Sequence, residues 1–181
     1  MPVIPEFSDG YYLPPGVHVC SLHDIENRFL GSERRKAVWR MFKTFLERLK
    51  FLCVVPEVIL IDGSFVTGRE EPGDVDVCLL IRPESIIRAM NSLDNEEDKL
   101  CLEFICNPDN QAALRLSFGT HPLIAYDENN LQLYSDLFRT GGAQFRHLRP
   151  SDAIRDPGWV KTPSEKGILR VNFSEGGVYD E

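Results

Sequence analysis

Long apolar runs are missing from this 181-residue chain. No stretch approaches the roughly 20 residues that a membrane span requires, so no membrane partner is expected. The opening segment, MPVIPEFSDGYYLPPG, lacks both a basic region and an apolar core, so no secretory signal is expected and the predicted location is cytoplasmic. Cysteine is sparse and unpatterned. Cys20, Cys53, Cys78, Cys101 and Cys106 are an odd number without CxxC spacing, which argues against a zinc site or a disulfide framework. Cys53 and Cys78 lie in apolar contexts and read as buried free thiols. The four histidines, His18, His23, His121 and His147, show no ligand spacing and read as surface or half-buried residues. Positive charge is short: the formal net charge is -8, and residues 51–181 carry the whole excess, at -10, while residues 1–50 sum to +2. A body this acidic repels a long phosphate backbone, so no extended nucleic acid is expected as a partner. A small nucleotide that brings its own metal ion is compatible with that charge. No internal repeat or low-complexity tract is present.

A hydrophobic fraction of 43% supports a sizeable core, and the length suits one domain with an appendage. Residues 1–20 read as an extended N-terminal segment, residues 21–173 as the domain and residues 174–181 as a flexible tail. Ser21 and Asp24 form a capping-box pattern that predicts a short helix to about Phe29. From Glu33 to Lys50, Val38, Trp39, Phe42, Phe45, Leu46 and Leu49 recur at helical spacing, opposite a basic face of Arg34, Arg35, Lys36, Arg40 and Lys43 that reads as solvated. The runs EVILIDG, DVDVCLLI, HPLIAYD and GILRVNF predict four strands. Helices are predicted after Pro83, after Asn107-Pro108, and from the Asn129-Asn130 region to Gly141. DNEEDK, residues 94–99, reads as a charged loop, CLEFIC is ambiguous, and the basic stretch FRHLRP reads as a solvated loop. The pattern predicts an α/β or α+β domain with a small mixed sheet and helices packed on one face.

One stretch conflicts with a plain strand: LIDGSFVTGREEPGDVDVCLLI, residues 60–81. Side chains alternate along a strand, so Asp74 and Asp76 share a face, roughly 6–7 Å apart, while Val75 and Val77 face the other way. Two adjacent carboxylates repel, and one tends to take up a proton unless a cation lies between them. Magnesium, or manganese, takes oxygen ligands from one or two carboxylates plus substrate phosphates. Gly63 permits close approach of a phosphate to the backbone, and Ser64 offers a hydroxyl and an N–H. Strand, Gly-Ser turn, loop and Asp-x-Asp can together grip a nucleoside triphosphate and its metal. The alternative is a strand that starts with two exposed acids.

The spacing resembles the signature of the DNA polymerase β-like nucleotidyltransferase superfamily: a hydrophobic residue, Gly-Ser, about ten residues, then Asp-hydrophobic-Asp-hydrophobic. Together with GYYLPPGVH near the start and ERRK at the long helix, it is similar to a group of small bacterial nucleotidyltransferase-like proteins, over residues 10–82. The resemblance implies transfer of a nucleotidyl group from an NTP to a hydroxyl of a protein, a tRNA or a small molecule. Gly63 and Ser64 would bind the triphosphate, with Arg69 offsetting Glu70 and Glu71. Asp74 and Asp76 would ligate metal. A third carboxylate is implied on a later strand, with Asp127 the first candidate and Glu103 the second. Free-standing members resemble antitoxin-type and antiviral-defence proteins, which implies a protein partner. The alternative is a non-catalytic partner-binding subunit or antitoxin of the same fold. Tyr11 and Tyr12 read as an aromatic anchor or as a base-stacking pair.

Overall fold

Ser21 opens the first helix, α1 (Leu22–Phe29), with a reciprocal box: its Oγ accepts from the Asp24 N–H, and the Asp24 carboxylate accepts from the Ser21 N–H. Ser32 caps the second, α2 (Glu33–Phe51), by accepting from the Arg35 N–H at 3.2 Å. All six apolar residues expected on the inner face of α2 are buried. Each contributes about 1.5–3 kcal/mol by leaving water, so packing rather than helix propensity holds α2 in place. Trp39 stacks on Phe65 with ring centroids 5.3 Å apart, and its Nε1 donates to Glu26. The basic face departs from expectation at one position, because Arg35 is only 7% exposed.

The computed structural model describes residues 4–8, 10–141 and 163–173. The remaining elements are β1 (Gly16–Val19), β2 (Val58–Asp62), β3 (Val75–Leu80), α3 (Pro83–Ser92), α4 (Glu96–Cys106), α5 (Gln111–Phe118), β4 (Thr120–Ala125), α6 (Glu128–Thr140) and β5 (Gly167–Asn172). The five strands form one mixed sheet in the order β1-β5-β2-β3-β4. The outer pairs are parallel, and β2 runs antiparallel to both of its neighbours. Strand β1 falls inside the segment expected to be merely extended. It is four residues long, lies at the sheet edge and alternates half-buried with exposed, so its apolar signal is slight.

Two further expectations change. Of the expected loop 94–99, residues 96–99 are helical: the Asn95 side chain caps the helix by accepting from the Glu97 N–H, and α4 begins at Glu96. Three acids in the first turn suit the positive end of the helix dipole, which is why a charged run continues into the apolar CLEFIC segment as one helix. Nor do the helices all lie on one face. The main core joins Ile59, Ile61, Val77 and Leu79 to helices α1 to α5, while Leu60, Cys78, Leu80 and Ile168 pack on the opposite side against Leu131 and Phe138 of α6. Strand β2 is buried at all five positions, so both of its faces need cover, and α6 supplies the second. Cys53 is exposed rather than buried, because it follows α2 in a left-handed conformation at φ 60°. Cys20 and Cys78 are buried, and burial pushes both thiols up to about 12. Among the described residues, no helix is long and apolar enough to cross a membrane. The stretch 145–150, with His147, and the tail 174–181 lie outside the described residues.

Candidate functional site

The second sheet face is apolar along most of its length and turns polar at one end. Strand β2 finishes there with Asp62, and β3 passes it in the opposite direction with Asp76 as its register partner. Residues paired across antiparallel strands point to the same face, with Cβ atoms about 4.5–5.5 Å apart, and two like charges so placed are destabilising. A base meets each acid. Lys166 Nζ lies 2.5 Å from Asp62 Oδ1, the two side chains being 12% and 10% exposed. His121, the neighbour of Asp76 on β4, places Nδ1 3.3 Å from Asp76 Oδ1. Asp74, just ahead of β3 and nearly buried, receives Arg115 Nε of α5 at 2.6 Å.

The ring of His121 is fixed from both sides. Its Nε2 lies 3.0 Å from Gln111 Oε1, and Gln111 Nε2 donates to the Pro122 carbonyl. With an acceptor at each ring nitrogen, only the doubly protonated imidazolium satisfies both. The hydrogen bond to Asp76 accordingly raises the pKa of His121, burial opposing it. Burial pushes the Asp62 carboxyl above its ordinary range, with Lys166 and the Gly63 N–H pulling it back. Burial and then the charge of Asp76 raise Asp74, against Arg115 and His121.

Gly63 joins β2 to the turn Ser64–Val66 at φ 79° and ψ −163°, a region that side chains essentially exclude. A Cβ on Gly63 would stand 1.8 Å from Asp76 Oδ2, so the carboxylate of Asp76 rests directly on this glycine. The loop that follows is tied internally: Thr67 Oγ1 donates to the Ser64 carbonyl and accepts from the Arg69 N–H. Gly68 comes so close to Gly10 and Tyr11 that a Cβ would lie 2.9 Å from the Gly10 carbonyl, and its N–H donates to the Tyr11 carbonyl at 2.8 Å. The N-terminal tyrosines are thereby held beside the Gly-Ser turn.

These groups enclose a cleft of about 540 Å³. Asp62, Asp76, Ser64, Arg69 and Lys166 form its polar part, Tyr11 and Tyr12 a second wall, and Leu123, Leu137 and Phe138 an apolar part. Of the residues singled out in the sequence, Tyr11, Tyr12, Gly63, Ser64, Arg69 and Asp76 meet here. Asp74 stands beside them but does not line the cleft. Asp127 is elsewhere: it caps α6 by accepting from the Asn130 N–H, two residues past the far end of β4 and roughly 20 Å of extended chain from His121. Glu103 is exposed on α4, whose buried residues belong to the opposite core.

The chain belongs to the DUF6932 family. The model of this family of unknown function matches residues 5–172, which takes in every described strand and helix. No curated protein and no solved structure matches the chain.

Three residues of this DUF6932 cleft escaped the sequence reading. Asp62 ends an apolar run and reads simply as part of the strand, although Asp-Gly-Ser places it directly before the turn. His121 and Lys166 carry no local motif. They become visible only when register sets β4 beside β3, and the approach to β5 beside β2. The resemblance implied a third carboxylate on a later strand; what faces the acids here is His121 on β4 and Lys166 just ahead of β5.

Proposed function

We propose that the cleft binds a nucleoside triphosphate with a divalent cation and transfers its nucleotidyl group to a hydroxyl acceptor. The observation that carries this reading is the convergence of Gly63, Ser64, Asp76 and Asp62 on one cleft, at adjacent strand ends. The donor chemistry suits magnesium or manganese: two carboxylates face the same space, and a hard cation needs few protein oxygens when phosphates and waters complete its shell. Among the described residues, no three His, Cys, Asp or Glu side chains are grouped to hold a metal, so Asp76 and Asp62 would hold the ion with the substrate's own oxygens. Asp74, engaged by Arg115, would support Asp76 from behind. When bound, the ion supplies charge neutralisation at the α-phosphate and the pyrophosphate leaving group. Ser64 offers its hydroxyl and N–H to the phosphates. Arg69 and Lys166 add positive charge, and the tyrosines with Leu123 and Phe138 offer surface for the base.

A second reading has its own observation. Each of the three acids already faces a basic side chain of the protein, which is what a polar core without metal chemistry requires. On that reading the domain is a non-catalytic subunit or antitoxin that acts by binding a protein partner. Incubation with each labelled NTP and magnesium or manganese, with co-purifying proteins present, separates the two. Label transfer that disappears in Asp76→Asn and Asp62→Asn supports the enzyme. No transfer, with partner binding intact in both variants, supports the binding subunit.

A further inference from the structure

Arg35 is a charged residue in an unusual place. It sits in the first turn of α2, almost wholly buried, and its guanidinium lies 5.9 Å from the ring centroid of Phe29 and 5.5 Å from that of Phe65. Among the described residues no carboxylate pairs with it. Its hydrogen bonds go instead to main-chain carbonyls: Nη1 donates to Phe65 at 2.7 Å and Phe29 at 3.5 Å, and Nη2 to Thr67 at 2.7 Å and Arg69 at 2.5 Å. Three of those four carbonyls belong to the loop after Gly63. Burying a guanidinium is costly, and carbonyls offset that cost only if they stay converged on it. The arrangement works in both directions, since the loop satisfies the arginine and the arginine sets the loop. Neighbouring Arg34 donates to the Pro72 and Gly73 carbonyls, tying the far end of the same loop to α2.

We propose that Arg35 is a positioning residue of the cleft: it fixes the 64–69 loop so that Ser64 and Arg69 face the triphosphate and, through the Gly68 N–H to Tyr11 carbonyl bond, so that the tyrosine wall faces the base. The proposal rests on the nucleotide reading for its ligand and on the loop geometry for its mechanism. A planar five-donor fork is required, because four carbonyls approach from different directions, and a lysine ammonium has three donors at one point.

The test compares wild-type protein with Arg35→Lys, which keeps the charge, and Arg35→Met, which removes it. Amide hydrogen exchange reads the loop without any ligand, and equilibrium binding of ATP, CTP, GTP and UTP with magnesium reads the cleft. In Arg35→Lys, exchange at Thr67, Gly68 and Arg69 should accelerate at least tenfold while amides of β2 and β3 keep wild-type rates, and the Kd of whichever nucleotide the wild type binds should rise at least tenfold. Arg35→Met should exceed both changes. If it fails to fold, the lysine variant alone decides. Unchanged loop exchange in Arg35→Lys overturns the proposal, as does a loosened loop with unchanged nucleotide affinity, or acceleration spread evenly over all amides. Failure of the wild type to bind any of the four nucleotides would sink the nucleotide reading, and the exchange comparison would still decide whether Arg35 sets the loop.

Discussion

Replacing Gly63 by alanine tests the corner on which the cleft is built, whatever the cleft binds. Two costs arise from one methyl group. The backbone at φ 79° and ψ −163° is open in practice only to glycine, and holding another residue there costs about 1–3 kcal/mol. The new Cβ would also stand 1.8 Å from Asp76 Oδ2 and 2.7 Å from Asp76 Cγ. Either the carboxylate leaves, taking its contact with His121, or β2 and β3 part at their paired ends. Overpacking of this kind costs about 1–3 kcal/mol. Together the loss is about 2–6 kcal/mol, which lowers Tm by roughly 5–20 °C in a domain of this size. Urea unfolding followed by circular dichroism measures it, with Gly31→Ala as the control. A Cβ at Gly31 meets nothing within 4 Å, so that variant should be neutral or more stable by up to about 1 kcal/mol. A Gly63→Ala protein within about 0.5 kcal/mol of wild type, or no worse than the control, would refute the reasoning.

Other predictions concern the paired charges. Lys166→Met leaves a buried carboxylate without its counter-ion and should cost about 3–5 kcal/mol at neutral pH. Because burial holds the folded-state pKa of Asp62 above its unfolded value, protonation removes the penalty, so the deficit should shrink as pH falls. Denaturant midpoints at about pH 5 and about pH 8 check this, and a pH-independent deficit contradicts it. For His121 the folded-state pKa is also raised, but the stabilised form is the cation. Its contribution is fully present below the ordinary value of 6.5 and is lost as pH rises through the folded-state value. The stability difference between wild type and His121→Gln should therefore be larger at about pH 5.5 than at about pH 9, and equal differences would exclude the ion pair. Asp127→Ala should cost about 1 kcal/mol through the lost cap of α6 and leave nucleotide binding and transfer at wild-type levels.

The elements that were legible in the sequence are those whose signal is local. The Ser21–Asp24 box, the apolar stripe of α2, Pro83 at the start of α3 and the apolar runs of β2, β3, β4 and β5 each carry their own reason for forming. The alternation of Asp76 and Cys78 against Val75, Val77 and Leu79 was legible for the same reason, because it depends only on the period of a strand. What stayed hidden depends on neighbours distant in sequence. Strand β1 is defined by hydrogen bonds to β5, about 150 residues away, and not by its own four residues. Arg35 reads as one more cation on a basic face, and only the loop folding back over α2 buries it. Asp127 follows a strand and precedes a helix. Those two facts alone do not separate a cap from a ligand, and what decides is that β4 runs parallel to β3, which puts its end at the wrong edge. Asp62 was within reach, since an acid directly before Gly-Ser, at the end of a fully apolar run, had no other evident reason to be there.

The charges around the cleft carry one more consequence. Asp62, Asp74 and Asp76 each face a basic side chain, Lys166, Arg115 and His121, which offsets the repulsion that this end of a chain with net charge -8 would otherwise offer a polyphosphate. The Lys166–Asp62 pair means that a divalent cation binding at Asp62, as proposed, would compete with Lys166 for the carboxylate. On the proposed reading, a bound nucleotide would relieve that competition by offering Lys166 a phosphate instead. Metal and nucleotide should therefore strengthen each other's binding, and by linkage the coupling must be the same measured from either side. Removing the competitor should have the effect that nucleotide has. Lys166→Met, studied where it remains folded, should bind Mn²⁺ without nucleotide about tenfold more tightly than wild type, a change of about 1.4 kcal/mol. It should also show a smaller gain in nucleotide affinity on adding the metal. Manganese titrations followed by electron paramagnetic resonance measure the first, and competition with a non-hydrolysable NTP measures the second. Equal Mn²⁺ affinity in the two proteins would mean that Lys166 does not guard the carboxylate pair, and the assignment of Asp62 as a ligand would fall with it.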